Sequence, residues 1–97
     1  MNELPEIEIV LNPKTSEAVD IIGFQWAGDN IGKRSKIGGS PNWIQNPEWP
    51  KCTCNKKMTF YGQLDSIGDE CNIADCGMIY VFLCFDCFET KSIIQSH

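Results

Sequence analysis

Two kinds of residue are scarce in this 97-residue chain, and each scarcity excludes something. Histidine occurs once, as the terminal His97, so a Cys–His nucleophile pair or a histidine general base has little to build on. Basic residues number 8 against 13 acidic ones, a formal charge of −5 that disfavours binding to a nucleic-acid backbone. The only basic run is Lys33, Arg34 and Lys36, which reads as a solvated loop. No apolar run approaches the ~20 residues of a membrane-spanning helix. Phosphate-cradling glycine motifs, internal repeats and low-complexity stretches are also missing. The opening Met-Asn-Glu-Leu-Pro-Glu has no basic n-region followed by an apolar core, so it does not read as a secretory leader. The expected location is the cytoplasm.

What is present is cysteine: six in a short chain. In a secreted domain such a count suggests disulfides. In a reducing compartment a metal site is the better reading. A chain this small buries a modest core, and a metal clip would help it fold. One domain spanning residues 1–97 is expected.

The pattern of apolar residues points to a mainly β fold, with a small α+β variant open. Glu6 to Leu11 alternates and reads as a strand ended by Asn12-Pro13. Ser16 to Ala27 is ambiguous: Ser16, Glu17 and Ala18 suit a helix start, whereas Val19, Ile21, Ile22 and Phe24 favour a strand. Gly28-Asp29-Asn30 and Gly32 mark a loop. Ser35 to Pro50 has no helical or strand period, but Ile37, Trp43, Ile44 and Trp49 are apolar anchors. It reads as an ordered loop crossing a sheet, with Gly38-Gly39 permitting special backbone angles. Trp43 and Trp49 either roof a small core or form a binding hot spot for a partner. Three strands follow. In Lys57 to Leu64, Met58, Phe60 and Leu64 are expected on one face, with Tyr61 and Gln63 on the other. Gly77 to Cys84 is nearly all apolar and reads as a central strand covered on both faces. Glu89 to Gln95 is the last.

Cys84-Phe85-Asp86-Cys87 lies between two of these strands, where a tight turn can aim two sulfurs at one metal ~2.3 Å away. Cys52-Thr53-Cys54-Asn55 lies just before another. Residues i and i+2 of an extended chain are too far apart to share an ion, so a local turn is needed. Asn55 can supply it, because Asn tolerates the left-handed region. Two knuckles joined to strands of an antiparallel sheet make a zinc-ribbon-like arrangement. Four thiolates suit one structural Zn2+, with Cys52, Cys54, Cys84 and Cys87 as its ligands. Cys71 and Cys76 remain as alternatives that could replace one knuckle; Cys76 reads as a small buried residue. A thiol oxidoreductase using Cys84 and Cys87 would want an adjacent helix, and the residues after Cys87 are β-favouring. Asp65, Asp69, Glu70 and Asp75 show no acid/base spacing. The chain is not expected to be an enzyme.

The segment Lys36-Ile37-Gly38-Gly39-Ser40-Pro41-Asn42-Trp43-Ile44-Gln45 resembles the KxGGxPxWxQ signature of the YwqG-like family, a bacterial domain of unknown function. Pro50-Lys51-Cys52, Met58-Thr59-Phe60, Gln63-Leu64-Asp65-Ser66, Gly77-Met78-Ile79-Tyr80-Val81-Phe82, Cys84 and Cys87 follow in the same order. The programmed-cell-death-2 proteins are similar in pattern. The likeness covers roughly residues 35 to 95. Cysteine pairs in those proteins are commonly CxxC, so Cys52/Cys54 is one spacer short. The resemblance implies a β-rich fold without known enzymatic activity. It also implies a protein-binding role: immunity proteins of toxin systems on one side, a chaperone for a ribosomal protein on the other. An acidic surface suits a basic protein partner.

Overall fold

The computed structural model describes residues 3–23, 32–68, 73–74 and 76–96. Phe24, Trp26, Gly28-Asp29-Asn30, Asp69, Glu70, Cys71, Asp75 and His97 lie outside the described residues. The fold is mainly antiparallel β. Five strands pair in sequence order: β1 (Ile7–Glu8), β2 (Lys36–Ile37), β3 (Thr59–Asp65), β4 (Met78–Leu83) and β5 (Thr90–Gln95). Among the described residues a short helix, α1 (Ser16–Ile21), occupies the start of the ambiguous segment. Thr15 caps it, its hydroxyl oxygen accepting from the Ala18 amide at 3.1 Å. The expected first strand, Glu6 to Leu11, shrinks to the two residues of β1.

Strand β4 has Met78, Tyr80 and Phe82 fully buried on one face. The opposite residues, Ile79, Val81 and Leu83, are half-buried, so among the described residues this strand is roofed on one side rather than both. Strand β3 departs from strict alternation. Phe60 pairs with Phe82 but Gly62 with Val81, leaving Tyr61 as a bulge. The extra residue inverts the facing of everything after it. Gln63 and Asp65 therefore join Phe60 on the buried face, and Leu64 is 49% exposed. The expected faces of Leu64 and Gln63 are thus exchanged.

The roof is the Gly38–Pro50 loop, and side chains of the sheet hold its backbone. The Asn42 amide donates to Gln63 Oε1 at 3.0 Å, and Tyr80 Oη donates to the Asn42 carbonyl at 2.7 Å. The amides of Ile44 and Gln45 both donate to Gln95 Oε1, at 3.0 and 2.8 Å, while Gln95 Nε2 donates to the Asn46 carbonyl at 2.7 Å. Buried glutamines thus satisfy a loop that has no ladder of its own. Gly38 and Gly39 adopt φ values of +75° and +70°, and a Cβ on Gly38 would collide with the Pro5 carbonyl.

The basic run is not a solvated loop. Arg34 grips the buried Asp65 through Nε at 2.9 Å and Nη2 at 2.7 Å. Buried Lys36 pairs with Glu6 at 2.6 Å. The bulge that turned Asp65 inward placed an acid where Arg34 could meet it, and a buried charge must be paired. Of the three cations only Lys33 is exposed.

Candidate metal centre

The first knuckle is a turn closed by an antiparallel bridge between Lys51 and Lys57. The Cys52 amide donates to the Lys56 carbonyl at 3.0 Å, and the Asn55 amide to the Cys52 carbonyl at 2.9 Å. Asn55 takes φ +67°, the left-handed turn that the one-residue spacer requires. The second knuckle caps the β4–β5 hairpin. There the Cys84 amide donates to the Glu89 carbonyl at 2.9 Å, and the Phe88 amide to the Cys84 carbonyl at 2.8 Å. Phe88 takes φ +60°.

These turns bring the sulfurs of Cys52, Cys54, Cys84 and Cys87 within 4.8 Å of one another. Two approaches run between the knuckles: Cys52 Sγ to Cys87 Sγ at 2.9 Å and Cys54 Sγ to Cys84 Sγ at 3.7 Å. Four sulfurs ~2.3 Å from one tetrahedral ion lie ~3.8 Å apart. A disulfide would need ~2.05 Å, and none joins the described cysteines. Cys52 and Cys84 are buried and belong to the core cluster with Phe60 and Phe82, whereas Cys54 and Cys87 are exposed. The cluster therefore spans from core edge to surface, and these four cysteines could hold a metal ion.

The electrostatics of the two buried cysteines differ. The amides of Cys87 and Asp86 point at the Cys84 sulfur and draw its pKa down to about 7, against the opposing effect of burial. At Cys52 the Cys54 amide also favours the thiolate. The Cys87 sulfur, burial and the Glu89 carboxylate outweigh it and push the thiol up. Negative charge is therefore favoured on the Cys84 sulfur and disfavoured on that of Cys52, and a bound cation would displace the Cys52 proton.

Glu89 was not singled out by sequence. Its carboxylate accepts from the Thr53 amide at 2.9 Å and the Thr53 hydroxyl at 3.3 Å, tying the first knuckle to the end of the second. These amide and hydroxyl bonds, with the Thr53 amide foremost, hold the Glu89 carboxyl below its ordinary range. The sequence signal was weak: a lone glutamate two residues after Cys87. Lys56 and Asp86 also bridge the knuckles at 3.3 Å, but both are well exposed and add little.

Cys76 is buried and lies outside the four-sulfur group. Trp43 packs on Tyr80 and Phe82, with ring centroids 4.8 and 6.0 Å away. Trp49 donates from Nε1 to the Met58 carbonyl at 2.8 Å and meets Phe82 edge-on at 5.2 Å. Both tryptophans roof the core; Trp49 keeps 37% of its surface exposed, with Lys57 Nζ 4.4 Å above its ring. No helix among the described residues is long and apolar enough to cross a membrane.

Comparison with curated proteins finds similarity to the uncharacterised protein YpfL of Salmonella typhimurium LT2. The two are 39% identical over 64 residues. The match covers 63% of this chain and 15% of the relative, so the chain spans a small part of that protein's length. No family model matches the chain, and no solved structure matches it.

Proposed function

We propose that this chain is a non-enzymatic protein-interaction module of the YwqG-like type, stapled by one structural Zn2+ on Cys52, Cys54, Cys84 and Cys87. The observation that carries the reading is the convergence of four sulfurs from two separate turns. An all-cysteine shell leaves no open position for substrate, which marks a structural site. Bound zinc would supply on the order of 10 kcal/mol to folding, comparable with the whole stability of a small domain. The acidic surface suits a basic protein partner in the cytoplasm, such as a toxin met by an immunity protein or a client met by a chaperone. The exposed part of Trp49 belongs to the binding face, with Trp43 fixing the roof beneath it.

Two other readings have less support. A nucleic-acid-binding ribbon needs free cations, and Arg34 and Lys36 are spent on Asp65 and Glu6. An oxidoreductase would pair Cys84 with Cys87 alone, yet both sulfurs sit in one group of four with those of Cys52 and Cys54.

Affinity purification of the full chain from its native host, beside Trp49→Ala, tests the interaction. One stoichiometric basic protein, lost with Trp49→Ala, is the expected result. Recovery of the chain without a partner, or a partner indifferent to Trp49, contradicts it.

A further inference from the structure

The strand registers sort the sheet into two unlike faces. All charged strand residues, Glu8, Lys36, Asp65 and Lys91, fall on the roofed side by alternation and cross-strand pairing. The roof's anchors Gln63, Tyr80 and Gln95 lie on that side too. No strand residue on the opposite face is charged, although 22% of the chain is. Leu64 pairs with Ile79 and Ile79 with Ile94, so three branched aliphatic side chains form one rung across β3, β4 and β5. Leu64 and Ile94 are 49% and 58% exposed, and the bulged Tyr61 on β3 is 42% exposed. Val81 and Leu83 continue the face, and its remaining strand members are hydroxyl-bearing, glycine or isoleucine residues. Antiparallel sheets normally place polar residues on a face left to water.

From this geometry we infer that the unroofed sheet face is a self-association surface, on which a second copy of this chain packs face to face across a twofold axis. Charge decides the occupant. A basic partner finds no acid on this face, whereas two copies of a neutral apolar face meet without burying a charge. Such isologous contact is the commonest symmetric arrangement, and sheets packed face to face lie ~10 Å apart. Strands ~4.8 Å apart rising ~3.3 Å per residue give β3–β5 a panel of roughly 15 by 20 Å, which β1 and β2 widen. That falls short of the ~800 Å² per partner of a standard interface, so the dimer is weak. The inference is independent of the metal reading.

Sedimentation equilibrium of the full chain, over a concentration series at low and high salt, tests it. The mass is expected to rise with concentration from the 10.9 kDa monomer towards twice that value. Added salt should strengthen the dimer, because it screens repulsion between two chains of charge −5. The double variant Leu64→Lys/Ile94→Lys should remain monomeric at every concentration. Both side chains are exposed, so near-ultraviolet circular dichroism should match the unsubstituted chain and show the fold intact. A monomer at the highest concentration, an unaffected dimer in the folded double variant, or an association weakened by salt would each overturn the inference.

Discussion

The two cysteine knuckles bring their sulfurs to one place with different lengths of chain. In the second, the Phe88 amide returns to the carbonyl of Cys84, four residues back. In the first, the Asn55 amide returns to Cys52, three residues back. In each, the residue immediately after the second cysteine takes a positive φ. The CxC knuckle is therefore the CxxC knuckle with one residue removed from the turn and the exit geometry kept. The missing residue has an electrostatic consequence. Two amides serve the Cys84 sulfur, those of Cys87 and Asp86, while the Cys54 amide serves Cys52. The shorter knuckle instead has its Thr53 amide held by Glu89 from the longer one. Each knuckle thus gives at least one amide to its own buried sulfur, and the shorter one is also tied to its neighbour through Glu89.

Replacement of a buried cysteine should have the largest effect. Cys84→Ser and Cys52→Ser each remove a proposed ligand and a core side chain, and loss of bound zinc would forfeit on the order of 10 kcal/mol. Thermal unfolding should become uncooperative in both; a cooperative transition in either would separate that knuckle from the metal. Next, Glu89→Ala should weaken zinc affinity roughly 10–100-fold, measured by competition with a chelator. The same variant should leave the turn at Cys84 unchanged, because the Glu89 contact there is through its backbone carbonyl.

The left-handed residues sharpen the comparison further. Asn55→Val should cost about 1–2 kcal/mol, since a branched side chain is poorly tolerated at φ +67°. Phe88→Gly should stabilise by about 1 kcal/mol, because Phe88 is exposed and its backbone strain is relieved. Denaturant melts of the zinc-loaded chain check both signs. Asp86→Asn should change stability least, as its pair with Lys56 lies in water.

Much of the site was legible because local rules coincided there. Cys84 and Cys87 sit between two apolar β runs, and Asn55 follows the short spacer that needs a left-handed residue. The sheet was legible for the same reason, down to the β-favouring Ser92-Ile93-Ile94. What could not be read were features set by one unpaired residue or by distant partners. Within Thr59–Asp65 only Gly62 hints at the bulge at Tyr61, yet the bulge turns Gln63 and Asp65 inward and Leu64 outward. With Asp65 misplaced, Arg34 read as a loop cation rather than half of a buried pair. Glu89 was invisible because its partner Thr53 is 36 residues away. The helix Ser16–Ile21 was obscured by Val19 and Ile21, whose strand preference is a weaker determinant than the Thr15 cap.

The central claim is that the two unlike knuckles share one ion. Elemental analysis of the full chain, purified without added metal, tests it most directly when run beside Cys54→Ser and Cys87→Ser. The account predicts one zinc per chain, with a marked loss in both variants, one from each knuckle. Zinc retained at full stoichiometry in either variant, or a cooperatively folded chain that carries no metal, would contradict it.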